Sequence, residues 1–446
     1  MTDAVIAFKS ALQRPFRLLA SVLSLRYFLL RSSTAAAAIA AGLVQTFVFA
    51  RVLTPERFSI FILIGTVGVS LWLFDLGAAK ILFVRQRARH LGQRADATVA
   101  AHSSAVVLLY GLIVLAGTAL CFAATASAQS TPWQAAEYAL FFSFSALNLV
   151  WFPLRNISNA VDEFIYFEAL EAVRRAGHIG LTLALLVGLP LPLFLIAGNL
   201  LWAAVFAASI VALARAGALA PRLRHFRRGL AEFWRLNRPE LLRSGTYAGA
   251  ELIVYNFPYL VVPLAFGLGA PTIVLDTVFK VFRGTTLIYA AGLDPLVPEQ
   301  TRAFAARDAA TLKRATLTAA VLTALPTVAL CALLLLAGDR LFALLLGHAA
   351  TVPSAAVVIL VVLLIANMAQ NVASCLLLHT GFFREIARVA SFLVAAMAAM
   401  TTLVLLTGLD ITGFLAGYAV VYVAGAALYL YYVVRQPLRV AAITAH

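Results

Sequence analysis

Charge is the scarcest commodity in this 446-residue sequence: Asp, Glu, Lys and Arg together make up only 12% of it. A soluble domain carries about 25%, so a freely solvated globular protein is excluded. Only three cysteines occur, Cys121, Cys331 and Cys375. Each sits in an apolar run without CxxC spacing, which gives neither a disulfide framework nor a thiolate metal site. The seven histidines form no HExxH or comparable ligand spacing, and no GxxxxGK[ST] loop is present to hold a nucleotide phosphate. The chain therefore reads as a non-enzyme needing no cofactor and no metal.

What is abundant is apolar: 63% of residues are hydrophobic. A spanning helix needs about 20 mostly apolar residues. Such runs recur near 32–52, 57–84, 98–124, 134–155, 164–188, 191–214, 244–267, 271–298, 312–337, 353–380, 386–407 and 411–434. This predicts an all-α polytopic membrane protein with about 12 transmembrane helices. The run at 164–188 is the least apolar, because it opens with Glu168, Glu171, Arg174 and Arg175. Either its helix starts late or its first turns lie in the interface.

The formal net charge of +15 is distributed in the gaps between runs, as in a membrane protein and not a nucleic-acid binder. With both termini inside, 28 of the 34 Lys and Arg fall in inside segments. Arg51, Arg57 and Arg340 lie outside, and Lys80, Lys280 and Arg283 lie within spans. That asymmetry assigns an N-in, C-in orientation. Outside loops are short, so no outer domain is available for catalysis.

Residues 1–31 carry Val5, Phe8, Leu12, Phe16, Leu19 and Leu23 at helical spacing, interrupted by arginines. They read as an amphipathic interfacial segment and not a cleaved leader. The expected organisation is then an N-lobe of six helices over 32–216, a basic cytoplasmic linker over 217–243, a C-lobe of six helices over 244–434, and a cytoplasmic tail over 435–446. Two halves of six spans begin on the same face and suit parallel repeats with a substrate path between them. The linker interleaves Arg222, Arg224, Arg227 and Arg228 with apolar residues, a pattern suited to anionic membrane lipids and equally to plain inside retention.

Intramembrane charge points to function, because an ionised side chain at mid-bilayer costs about 2.5–3.5 kcal/mol on insertion scales. Asp276, Lys280 and Arg283 share a stripe roughly 60° wide on one helix. Lys280 would lie about 13 Å deep and Arg283 about 18 Å deep at 1.5 Å per residue. Asp276 and Lys280 form an i,i+4 pair, so the stripe is net cationic, and a guanidinium suits phosphate or pyrophosphate. Substrate binding is expected at Arg283, Lys280, Asp276, Asn367 and Asn371; the two asparagines belong to a polar stripe that suits a sugar path or interhelix hydrogen bonding. Glu251 and Asp75 are candidates for ion coupling, Glu251 also as a partner of Arg283. Pro258 and Pro263 provide either a hinge or a static kink. Glu137, at the outer end of its span, reads as solvated.

One segment carries a family resemblance: Phe49-Ala50-Arg51-Val52-Leu53-Thr54-Pro55-Glu56-Arg57-Phe58-Ser59-Ile60-Phe61, followed by Phe74-Asp75-Leu76-Gly77. It resembles the first hairpin of the bacterial polysaccharide transporters, the O-antigen-flippase (Wzx-like) branch of the multidrug/oligosaccharidyl-lipid/polysaccharide (MOP) exporter superfamily. Ser59 stands where that pattern has glycine. The resemblance implies a flippase of the bacterial cytoplasmic (inner) membrane, moving a polyprenyl-pyrophosphate-linked oligosaccharide for lipopolysaccharide or other polysaccharide biosynthesis. It implies as partners the lipid-linked oligosaccharide and the polysaccharide polymerase machinery. A multidrug or cation antiporter of the same superfamily and a non-transporting assembly component are the alternatives. Physically, the same motif starts a helix: Thr54 can cap it, Pro55 suits its first position and Glu56 its first turn.

Overall fold

The computed structural model describes residues 25–92, 98–127, 131–220 and 226–435. The helices are α1 (Leu25–Val52), α2 (Pro55–Ser70), α3 (Ala78–His90), α4 (Val99–Ser127), α5 (Pro132–Ala146), α6 (Asn148–Ala160), α7 (Phe164–Ala184), α8 (Leu191–Arg215), α9 (Phe226–Phe266), α10 (Ala270–Leu293), α11 (Val297–Ala305), α12 (Ala309–Leu346), α13 (Ser354–His379), α14 (Phe383–Thr407) and α15 (Ile411–Val433). Every described element is helical, as a chain inserted in lipid requires when its backbone groups must be satisfied within each segment.

Nine stretches among the described residues are long and apolar enough to cross a membrane. The predicted spans that fall short are those over 164–188, 244–267 and 271–298, which supply α7, the later part of α9, and α10. In α7 and α10 the shortfall comes from charged residues, which makes these helices the places where function is to be sought, whereas the described apolar part of α9 is the shorter stretch Ile253–Phe266. About twelve spans remain in keeping with the fold. Other expectations need redrawing. The apolar amphipathic segment lies largely outside the described residues, as do 221–225 of the basic linker and the tail beyond Arg435. The rest of that linker is no separate segment: from Phe226 it forms the start of the 41-residue α9, which runs unbroken through Pro239, Pro258 and Pro263.

The motif at 49–61 folds as its chemistry dictates. Thr54 accepts from the Arg57 backbone N–H at 3.3 Å and Pro55 opens α2. Arg51 closes α1, donating to the carbonyls of Phe47 at 2.8 Å and Leu345 at 3.1 Å. Ser59 is buried, with its hydroxyl donating to the Glu56 carbonyl at 2.7 Å. Glu137 is not solvated: it is ion-paired with Arg57 and its side chain is only 12% exposed.

The span predicted over 57–84 is interrupted. After α2 come a short 3-10 turn (Leu71–Asp75) and two left-handed residues, Leu76 and Gly77, before α3 begins. Leu76 at φ 45° is an unfavourable conformation for a branched residue, and Gly77 at φ 83° adopts its own at no steric cost.

The chain divides into two compact units. One comprises residues 40–276 with 345–351. In it, Phe49, Phe58, Phe61, Phe141 and Phe194 interlock, mostly edge-to-face, at centroid separations of 4.9–6.1 Å. Trp151 of α6 and Trp202 and Phe206 of α8 form a second aromatic group. Here α9 packs on α2 and α4, and Gly245 lets it come close to the α2–α3 turn: an added Cβ would lie 2.7 Å from Leu76. The other unit holds 277–344 and 352 onward, together with the chain before Ala40. Its central contact is α13 against α15. Gly425 of α15 faces Leu393 of α14, where a Cβ would be 2.5 Å from the leucine side chain, a small residue serving close helix approach as in other membrane bundles.

The inner ends of the first unit are tied by polar bonds. Arg87 donates to Asp162 at 2.7 Å and His90 lies 3.1 Å from the same carboxylate. The Arg87 hydrogen bond holds the Asp162 carboxyl below the usual carboxylate range. Its contribution is therefore present at neutral pH and is lost as pH falls through that lowered value. Asp162 also occupies φ 62°, where Asn is tolerated as well as Asp. Asp162→Asn should keep the turn and remove only the charge, lowering thermal stability by about 0–1 kcal/mol at pH 7 and by progressively less toward pH 3. Melting curves of the two proteins across that range check this.

Candidate functional site

Helix α10 carries the predicted cationic stripe. It is continuous from Ala270 to Leu293, so Asp276, Lys280 and Arg283 keep their shared face. Asp276 is buried and accepts from the Tyr259 hydroxyl of α9 at 3.2 Å. Lys280 and Arg283 are half-buried. The Arg283 guanidinium stands 5.5 Å from the centroid of the Phe279 ring, within cation–π range. Phe279 and Phe282 are fully buried against Tyr418 and Tyr422 of α15, so the aromatic face of α10 anchors the helix while the basic residues occupy the adjoining one.

Asn367 has a different setting from a lining residue. It is fully buried. Its amide nitrogen donates to the Phe282 carbonyl at 3.2 Å and the Thr285 hydroxyl at 3.0 Å. Its amide oxygen accepts from Tyr422 at 2.9 Å and Asn371 at 2.8 Å. Two donors and two acceptor sites complete the capacity of an asparagine side chain, leaving none for a solute. Of the two readings of this stripe, the geometry displays interhelix bonding, joining α10, α13 and α15. Asn371 is half-buried and also donates to the Asn367 carbonyl at 2.8 Å.

Asp75 is likewise engaged. Its carboxylate accepts from the backbone N–H groups of Gly77 at 3.0 Å and Ala79 at 3.1 Å, and from the Tyr110 hydroxyl at 3.0 Å. Asp75 ends the 3-10 turn two residues before the N-cap Gly77, and from there its carboxylate takes N–H groups at the start of the broken span's second helix, with Tyr110 of α4 securing it. Lys80, one turn further on, is exposed. The Glu251 backbone lies in α9, but its side chain falls outside the described residues. Pro258 and Pro263 lie inside that same unbroken helix.

The largest departure from expectation is α7. Of the late start and the interfacial first turns that the sequence offered, the late start is not seen: the helix begins at Phe164, with its charged face buried within the protein. Glu168, Glu171, Arg174 and His178 are all buried. Arg155 of α6 pairs with Glu168 at 2.5 Å. Glu171 accepts from Arg174 at 2.5 and 2.8 Å and from Arg175 at 2.8 Å. The Arg174 guanidinium covers the Trp202 ring at 4.0 Å, and His178 stacks on Phe144 at 4.8 Å. The spacing 168, 171, 174/175 and 178 was visible in the sequence as a three-and-four stripe; the tertiary partners that make it tolerable were not.

No protein-family model matches this sequence, and no curated protein does. Solved structures match it over nearly its whole length. An inward-facing multidrug-resistance MATE-family transporter of the MOP superfamily is 15% identical, with a TM-score of 0.63 over 94% of this chain and 100% of its own. A MOP-superfamily transporter from Pyrococcus furiosus is 14% identical, with a TM-score of 0.63 over 96% of each chain. The bent form of the Vibrio cholerae MATE transporter VcmN is 12% identical, with a TM-score of 0.59 over 97% of this chain and 99% of its own. The fold is that of the MOP-superfamily transporters. At these identities the likeness concerns architecture, and the polysaccharide branch rests on the motif at 49–77.

Proposed function

We propose that this protein is a flippase that carries a polyprenyl-pyrophosphate-linked oligosaccharide, such as an O-antigen repeat unit, from the inner to the outer leaflet of a bacterial inner membrane by alternating access. The observation that carries this reading is the sign of the charge on α10: Lys280 and Arg283 lie on the face of Asp276, whose carboxylate already accepts from Tyr259. Pyrophosphate is the part of such a substrate that a guanidinium and an ammonium recognise. The polyprenyl tail stays in lipid while the headgroup crosses.

The MATE likeness favours a second reading, a multidrug antiporter. Cationic cargo needs carboxylates, and α1 contains no Asp or Glu. The Pyrococcus furiosus transporter is described as having a binding pocket of reversed polarity that suggests a different function for it. Charge sign is thus a sensible property on which to separate functions within this fold, and here the net positive stripe of α10 supports an anionic cargo.

The test is the leaflet distribution of the polyprenyl-linked glycan in cells lacking the protein, with no second flippase present. Accumulation on the inner leaflet, reversed by restoring the gene, is the expected result. A normal distribution together with lost efflux of a cationic dye would replace this reading with the antiporter.

A further inference from the structure

A groove of about 680 Å³ lies between the start of α7 and the end of α8. Its volume is in the range of small-ligand pockets, about 300–1,000 Å³. The floor comes from α8, where Ala208, Val211 and Ala212 lie along one stripe and leave room that larger side chains would fill. Glu163, Tyr166 and Arg215 line it as well. Arg215 closes a span and begins the most basic inside segment, which puts the groove at the inner-leaflet end of α8.

The polar residues differ in sign. Among the described residues, neither the Glu163 carboxylate nor the Arg215 guanidinium takes part in an ion pair or side-chain hydrogen bond, unlike the arginines of the neighbouring α7 cluster. Arg215 and Tyr166 are exposed. Glu163 is held in place from behind: its backbone N–H donates to Ser158 at 2.9 Å, and Asp162 beside it is tied to Arg87. A cation, an anion and a phenol thus line a groove whose floor is apolar.

We propose that this groove is a binding site for a glycerophospholipid of the inner leaflet with a zwitterionic, primary-amine headgroup. One acyl chain lies on the alanine floor, the phosphate meets Arg215 and the Tyr166 hydroxyl, and the ammonium meets Glu163. Selectivity resides in the headgroup, since a tail gains little by leaving lipid for an equally apolar surface. An anionic lipid would satisfy Arg215 but leave its negative charge beside Glu163. A choline headgroup has no N–H to donate to that carboxylate.

The experiment places the full-length protein in nanodiscs of equimolar phosphatidylethanolamine, phosphatidylglycerol and phosphatidylcholine, then counts the lipids retained through graded delipidation by native mass spectrometry. One phosphatidylethanolamine should be kept with about tenfold preference, equivalent to 1.4 kcal/mol. Glu163→Gln and Arg215→Gln should each remove that preference. Ala212→Phe, which fills the floor, should remove the retained lipid altogether. The first two changes are at half-buried or exposed side chains, so they stay informative even if the third disturbs packing. Equal retention of all three lipids, or a phosphatidylglycerol preference that survives Glu163→Gln, overturns the assignment.

Discussion

Glu171→Ala should destabilise the protein more than any other single change to its polar residues. Removing this carboxylate leaves Arg174, 3% exposed, without the acceptor that takes two of its donors, and also deprives Arg175. Breaking a buried pair by deleting one partner costs about 3–5 kcal/mol, because the surviving charge is stranded. At about 2–4 °C per kcal/mol for a unit of this size, the melting temperature should fall by roughly 6–20 °C. The matched change Arg174→Met should in part rescue it, since a long apolar side chain over Trp202 retains the packing while abolishing the stranded charge. A double-mutant cycle on thermal unfolding in detergent measures the coupling. Additive losses would show that Arg174 and Glu171 stabilise the unit independently, contrary to the pairing at 2.5–2.8 Å.

That cluster also marks the limit of what was legible in the sequence. Twelve apolar runs sufficed for the helical class because lipid imposes one rule on every span, and nine stretches meet it plainly. The charged spans, α7 and α10, obey a rule that depends on neighbours. Arg155 sits thirteen residues before Glu168 and reaches it only because α6 and α7 are packed together. Trp202, which covers Arg174, is further still along the chain. Asp75 shows the same limit from the other side. An acid in a span suggested ion coupling, yet two backbone N–H groups and Tyr110 occupy it at a helix break. The left-handed Leu76 that creates this break has no signature of its own in the sequence. Asn367 and Asn371 were legible as a polar stripe, but whether such a stripe serves solute or helices is decided by partners, and four bonds to Asn367 come from three helices. The α10 stripe was legible throughout, because its geometry depends only on an unbroken helix.

Arg283→Ala should slow translocation of the polyprenyl-linked glycan by about 10- to 100-fold, the loss of one charge-assisted hydrogen-bonded contact worth about 1.5–3 kcal/mol. The effect should fall on transport with little change in stability, because Phe279 and Phe282 packed on Tyr418 and Tyr422, together with the Asn367 bonds, anchor α10 along the adjoining face. Arg283→Lys keeps the charge but loses the planar fork, so its rate should lie between those of Arg283→Ala and the parent. Membrane potential offers an independent readout. An inside-negative potential favours outward movement of an anion by about 2.3 kcal/mol per charge per 100 mV, while returning basic residues carried across the same field would oppose the reset. Removing one such charge should therefore alter the voltage dependence of turnover as well as its rate. Reconstitution in vesicles with an imposed potassium diffusion potential measures both. A parent-like rate and voltage dependence in Arg283→Ala would remove the guanidinium from the substrate path and, with it, the main reason for preferring an anionic cargo.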